Sequence, residues 1–200
     1  MYSILLFFAA LLYSPYFLWQ VIVKGKYRKS FWPRLGNSFP LPPENKEVIW
    51  VHAVSVGEVK AVAPIIKAIR EKKPEAFIYF STITETGHDE AKKSAPEANE
   101  HVYLPFDFLI NSIVKKVRPD TVILCETDFW FNFLDSAKKY GAKIFVVNGK
   151  LSEKSLNRFK AFPFFTKALF ERIDLKGHQP SKRCAAILRD SLDHHGMGND

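Results

Sequence analysis

Residues 48–60, Val-Ile-Trp-Val-His-Ala-Val-Ser-Val-Gly-Glu-Val-Lys, pass from an apolar run straight into Ser55-Val56-Gly57-Glu58. Such a run reads as a buried strand, and Ser followed three residues later by Glu is a pattern with which helices begin. A strand that turns into a helix within so few residues opens a βαβ unit. Working outward, the first strand is predicted over 48–54, and apolar runs near 76–81, 101–104, 120–125 and 143–148 repeat it. Helical patterns near 58–72, 87–95, 107–117, 129–140 and 152–170 fill the intervals. Parallel neighbours need crossovers of this length, so the expected fold class is α/β, a Rossmann-like, mainly parallel sheet. Neither G-x-G-x-x-G nor G-x-x-x-x-G-K-[ST] occurs, so neither a dinucleotide fingerprint nor a P-loop ATPase is supported.

With 200 residues, 47% of them apolar and 14% aromatic, the chain can bury a core in one domain or two and is not a disordered polymer. A net charge of +8 raises nucleic acid or an anionic membrane as partner. The location of the charge decides between them. Residues 1–23 carry no charged side chain, and Lys24, Lys26, Arg28, Lys29 and Arg34 follow at once. At about 1.5 Å per residue a helix of that length reaches roughly 35 Å, enough for a hydrocarbon core of roughly 30 Å. The expectation is an N-terminal membrane-anchor helix, with Pro15 as a point of kinking or of partial insertion. Tyr16, Trp19 and Tyr27 fall near an interface, and the globular domain lies on the cytoplasmic side. Charge crowded beside an apolar segment argues against nucleic acid.

The expected division is an anchor over 1–23, a basic, Pro-rich linker over 24–46, a Rossmann-like domain over 47–174 and a polar tail over 175–200. A short helix near 181–190 fits within the tail, and His194 and His195 read there as solvated residues, so no metal site is expected. Cys125 lies in an apolar run and Cys184 in polar sequence, which suits a reducing compartment and neither a disulfide framework nor zinc.

In open α/β sheets ligands bind beyond the carboxyl ends of the strands. Four segments fall there. Ser55 and Gly57 precede Glu58, a carboxylate at the mouth of the crevice; taken alone, the same residues read first as a capping box. Thr84, Thr86 and Gly87 form a hydroxyl-rich turn suited to a sugar or phosphate, or a simple helix cap. Glu126 and Asp128 precede Trp130 and Asn132, and carboxylates beside flat apolar faces suit a polyol. The alternative there is a capping Asp128 and a core Trp130. Asn148, Lys150 and Ser152 close the set, with Lys150 as a phosphate or carboxylate partner. The simplest chemistry these groups offer is a carboxylate general base acting on a substrate hydroxyl.

His52-Ala-Val-Ser-Val-Gly-Glu58, Thr82-Ile-Thr-Glu-Thr-Gly87, Tyr103-Leu-Pro-Phe-Asp107, Glu126-Thr-Asp-Phe-Trp-Phe-Asn132 and Asn148-Gly-Lys-Leu-Ser-Glu-Lys-Ser155 occur in the order found in 3-deoxy-D-manno-octulosonic acid (Kdo) transferases. Over roughly residues 1–174 the chain resembles that family's N-terminal half. The resemblance implies an inverting, metal-independent glycosyltransferase of the two-domain GT-B type. It would move Kdo from CMP-Kdo to a lipid A precursor at the cell inner membrane during lipopolysaccharide biosynthesis. Glu58 matches the family's general base and Glu126 a second functional carboxylate. The family carries Glu where Asp128 stands, Pro where Phe131 stands and Ala-Arg where Gly149-Lys150 stands. Lys in place of Arg lacks the bidentate fork. Family members also carry a second Rossmann-like domain that binds most of the cytidine nucleotide. The expectation is therefore that residues 1–200 hold the acceptor half and do not turn over CMP-Kdo alone. The competing expectation is a catalytically silent, membrane-tethered module that binds lipid A precursor or scaffolds other envelope enzymes.

Overall fold

The computed structural model describes residues 28–126, 129–148 and 163–176. A short helix, α1 (Arg28–Phe31), and a 3-10 turn (Pro33–Leu35) lead into β1 (Val48–His52) and α2 (Val56–Lys72). Alternation then continues through β2 (Phe77–Thr82), α3 (Glu85–Ser94), β3 (Glu100–Tyr103), α4 (Ile110–Val117), β4 (Thr121–Cys125), α5 (Phe131–Lys139), β5 (Lys143–Val147), α6 (Pro163–Phe170) and β6 (Leu175–Lys176). The strands form one sheet in the order β3-β2-β1-β4-β5-β6, and every pairing is parallel.

A sheet covered on both faces needs strands that are apolar on both sides. In β1, Val48 and Trp50 join the core beneath α4, α5 and α6, while Ile49 and Val51 join the core beneath α2 and α3. β4 divides the same way, Val122 and Leu124 to one side and Ile123 and Cys125 to the other. Helices crossing from β1 outward to β3 therefore cover one face. The chain then returns to lay β4 beside β1, and its later helices cover the opposite face. The order thus reverses between β1 and β4, and the crevice opens above that pair.

The expected α/β class and the five expected strands stand. Boundaries moved where capping chemistry decided them. α2 begins at Val56 because Ser55 is its cap, and α3 at Glu85 because Thr84 is. α4 begins at Ile110, not at 107, since Asp107 serves another helix. α5 begins at Phe131, not at 129. A sixth strand, Leu175–Lys176, lies past the expected domain end at 174 and pairs with Phe145 and Val146 of β5. It is too short to carry a hydrophobic period of its own, and the backbone ladder places it.

Residues 33–46, part of the expected linker, lack long regular structure but lie against the sheet. Phe39 packs on Trp50 and Tyr79 with ring centroids 5.3 and 5.5 Å away, and the Tyr79 hydroxyl donates to the Pro40 carbonyl at 2.8 Å. The expected anchor over 1–23, the tail helix, His194, His195 and Cys184 lie outside the described residues. No helix among the described residues is long and apolar enough to cross a membrane.

Candidate functional site

Ser55 stands just beyond the end of β1, and Glu126 just beyond the end of β4, its neighbour in the sheet. Glu58, three residues into the chain after Ser55, belongs to the first turn of α2 and is 6% exposed. Its carboxylate accepts from the Val54 N–H at 2.9 Å, the Ser55 N–H at 3.2 Å and the Ser55 hydroxyl at 2.8 Å. The Glu58 N–H in turn donates to Ser55 Oγ at 3.3 Å, so the capping box is complete. A carboxylate offers about four acceptor positions, and three local donors leave it room for one more. The Cys125 thiol donates to the Glu58 carbonyl at 3.6 Å, which fixes the first turn of α2 against the residue preceding Glu126. The two carboxylates named from sequence thus come from adjoining strand ends.

Gly57 has a different environment from Gly87. A methyl group added at Gly57 would meet nothing nearer than Ser55 Oγ at 3.9 Å, and the position is exposed. At Gly87 the same methyl would lie 2.7 Å from Thr84 Oγ1 and 3.0 Å from the Val54 carbonyl. Gly87 is therefore required by the close approach of α3 to the β1 turn. Thr84 makes that approach: its hydroxyl donates to the Val54 carbonyl at 3.0 Å and its oxygen accepts the Gly87 N–H at 3.1 Å. Thr86 is exposed on the same turn.

Glu126 and Asn148 end β4 and β5 in the same way, each in the left-handed region with φ 64° and 52°. The Asn148 amide donates to Glu126 Oε1 at 3.3 Å, and the Glu126 N–H donates to the Val147 carbonyl at 2.9 Å. Left-handed backbone at two neighbouring non-glycine residues costs about 1–3 kcal/mol each and concentrates at ligand sites. Asp128, Lys150 and Ser152 lie outside the described residues.

Trp130 precedes α5 and packs against the core, with its indole N–H buried and unpartnered among the described residues. Asn132 is engaged locally: its amide donates to the Asp107 carbonyl at 3.1 Å. Asp107, quoted above only as the end of a motif, is the cap of α5. Its carboxylate accepts the N–H groups of Asn132 at 3.2 Å and Phe133 at 3.1 Å from a loop twenty-odd residues upstream, so spacing carried no signal of it. His52, the first residue of its motif, was given no role from sequence either. It is 1% exposed, with Nδ1 2.8 Å from Ser81 Oγ and 3.1 Å from the Ser81 carbonyl. Ser81 Oγ in turn accepts the Trp50 indole N–H at 2.8 Å, and the other ring nitrogen of His52, Nε2, is buried without a partner among the described residues. Burial holds His52 neutral, pushing it down to about 3.

Two hollows lie elsewhere, one lined by Lys46, Glu47 and Lys73 to Ala76, the other by Phe39, Pro40, His88 and His101 to Tyr103; neither includes Glu58 or Glu126.

The family model described as 3-deoxy-D-manno-octulosonic-acid transferase (kdotransferase) matches residues 29–191. A 3-deoxy-D-manno-octulosonic acid transferase of Chlamydia trachomatis serovar D is 35% identical over 178 residues, covering 88% of this chain and 41% of the relative. One from Haemophilus influenzae is 30% identical, covering 76% of this chain and 36% of the relative. The chain therefore spans less than half the length of these curated relatives. Among solved structures, a UDP-N-acetylglucosamine 2-epimerase superposes with a TM-score of 0.52 at 15% identity, covering 73% of this chain and 45% of the other, a likeness of fold alone. With a parallel sheet reversing between β1 and β4, one carboxylate in the helix turn after β1 and another at the end of β4, and a family match over residues 29–191, this chain belongs to the 3-deoxy-D-manno-octulosonic acid (Kdo) transferase family.

Proposed function

We propose that the chain is the acceptor-side half of a Kdo transferase, moving Kdo from CMP-Kdo to a lipid A precursor at the cytoplasmic face of the inner membrane. The observation that supports this reading is the placement of Glu58 in the helix turn that follows β1, held by Cys125 beside Glu126 at the end of the adjoining strand β4. In the proposed step an acceptor hydroxyl gives its proton to the Glu58 carboxylate while its oxygen bonds to the anomeric carbon of Kdo. The bond from that carbon to the CMP phosphate breaks, and the configuration inverts. Glu126, held by Asn148, faces the positive charge that develops on the sugar. Ser55, Gly57, Thr84 and Thr86 border the acceptor, and Asp128, Trp130, Asn132, Lys150 and Ser152 complete the sugar site on this reading. The donor nucleotide is held largely by a second domain, and no metal takes part. Anchoring through residues 1–23 confines enzyme and lipid to one plane.

A second reading, a silent lipid-binding module, draws on one observation: the Glu58 carboxylate is already engaged by three local donors. One pair of substitutions separates the two when the chain is joined to a donor domain. Gln serves a capping box as Glu does, so Glu58→Gln keeps the fold. As the base, Glu58→Gln lowers transfer by at least about 10²-fold while lipid binding persists. As a cap only, it leaves transfer within a few-fold. Residues 1–200 alone are expected to give no turnover, and robust transfer by them would refute the division of labour.

A further inference from the structure

One peptide group joins two turns that the sheet brings side by side. The turn between β1 and α2 carries Val54 and Ser55, and the turn between β2 and α3 carries Thr84, 30 residues beyond Val54. The Thr84 hydroxyl donates to the Val54 carbonyl at 3.0 Å. On the far side of that same amide, the Ser55 N–H donates to Glu58 Oε1 at 3.2 Å. A peptide unit is planar and trans, so its C=O and N–H point in opposite directions, and holding one aims the other. A carbonyl that accepts a hydrogen bond also polarises its amide and strengthens the N–H as a donor. Thr84 therefore acts on the Glu58 carboxylate through one intervening amide.

The Thr84 hydroxyl, expected from sequence at a sugar or at a helix cap, is spent within the protein. Its oxygen accepts the Gly87 N–H at 3.1 Å as the cap of α3, and its one proton goes to Val54, so nothing is left to donate to a substrate oxygen. Gly87 keeps the approach close, because a methyl group there would lie 3.0 Å from the Val54 carbonyl and 2.7 Å from Thr84 Oγ1. The other donors to the carboxylate, the Val54 N–H and the Ser55 hydroxyl, belong to the same turn as the Ser55 N–H. Thr84 ties that turn to its neighbour across the sheet.

We propose that Thr84 is a positioning residue for Glu58, holding, through the Val54–Ser55 amide, the direction in which the carboxylate meets an acceptor hydroxyl. This rests on the transferase reading, under which Glu58 takes the proton. Thr84 bonds to the turn that holds the base and not to the group that reacts.

The test compares Thr84→Val, Thr84→Ser and Glu58→Gln for transfer when the chain is joined to a donor domain, and follows the Ser55 amide proton by NMR of the full chain in detergent micelles. Thr84→Val keeps the shape of the side chain and removes its hydroxyl. It is expected to lower kcat by about tenfold and to leave KM within about twofold, since a misplaced reacting group costs rate more than binding. The Ser55 amide proton is expected to move upfield as its bond weakens, and Thr84→Ser to restore both readouts. A rise in KM with kcat unchanged would make Thr84 an acceptor ligand and overturn the positioning role. An unmoved Ser55 amide, or a moved amide with kcat unchanged, would also overturn it, and the base reading survives either as long as Glu58→Gln still abolishes transfer. If Glu58→Gln leaves transfer within a few-fold, the base and its positioning residue fall together. Should Thr84→Val fail to fold, Thr84→Asp and Thr84→Asn decide, because both cap a helix but only Asn has a proton to donate. A lowered kcat in the Asp variant that the Asn variant restores supports the proposal; equal kcat in the two refutes it.

Discussion

The Ser55 hydroxyl donates to the Glu58 carboxylate at 2.8 Å, while the same oxygen accepts the Glu58 backbone N–H at 3.3 Å. One side chain thus starts α2 and also sets where the carboxylate points. Ser55→Ala removes the cap and the orienting hydroxyl but leaves the acid. It is expected to cost about 1 kcal/mol of stability, measured by denaturant unfolding, and to lower transfer less than Glu58→Gln does. Equal losses in transfer would mean that the pair acts only through the fold.

The two glycines give opposite expectations. Gly87→Ala drives a methyl against the Val54 carbonyl at 3.0 Å and is expected to destabilise by about 1–3 kcal/mol. Gly57→Ala meets open space in a helical turn and is expected to be neutral or to stabilise by roughly 0.4–1 kcal/mol. If a ligand approaches the backbone there, Gly57→Ala lowers transfer without lowering the melting temperature. Unchanged transfer would remove Gly57 from the site.

Replacing Glu126 or Asn148 by glycine relieves left-handed backbone at φ 64° and 52°. Each variant is expected to unfold at higher denaturant, by up to about 1 kcal/mol after the lost side-chain bond is counted. Glu126→Gly should at the same time lose transfer. A variant that gained neither stability nor lost activity would show that the strand-end conformation has no functional cause.

Asp107 holds the start of α5 from outside the helix. Asp107→Ala leaves the N–H groups of Asn132 and Phe133 without their acceptor, at a cost of about 2 kcal/mol, while Asp107→Asn retains part of the cap. Amide exchange at Asn132 and Phe133 is expected to quicken in the Ala variant more than at α2. Uniform quickening would mean global unfolding and no local cap.

Burial, the largest cause in each case, brings His52 to about 3 and His88, stacked on Tyr103 with centroids 4.2 Å apart, to about 4. In the unfolded chain both titrate near 6.5. Below that pH the unfolded chain binds protons that the folded chain refuses, so stability is complete above about 6.5 and declines as pH falls toward 4. The decline is at most roughly 1.4 kcal/mol per pH unit for each histidine. Melting curves from pH 7.5 to 4.5 should show it, and His88→Gln should flatten it. An NMR titration of His52 with a midpoint near 6.5 would contradict its burial.

Much of the fold was legible because α/β order is written locally. Val48–His52 is apolar on both sides because both faces of the sheet are covered, and Ser55 and Thr84 cap their helices with donors three residues away. The site was legible only in part. Glu58 and Glu126 were found because strand ends in such sheets are where ligands bind, yet sequence left the capping and catalytic readings of Glu58 side by side. Its hydrogen bonds fit the first without removing the second. Asp107 and His52 stood in the quoted motifs without a role of their own, since the groups they meet come from distant parts of the chain.

The sequence by itself determined the alternation of strand and helix, the parallel sheet this enforces, and the ordered motifs that mark the family. Those follow from periodicity and from side chains acting on their nearest neighbours. Only the tertiary structure decided that β4 lies beside β1, that Asp107 caps the distant helix α5, and that His52 is buried against Ser81 of the neighbouring strand. Each depends on what long-range packing brings close, and a buried polar group meets its partner only once the surrounding chain is in place.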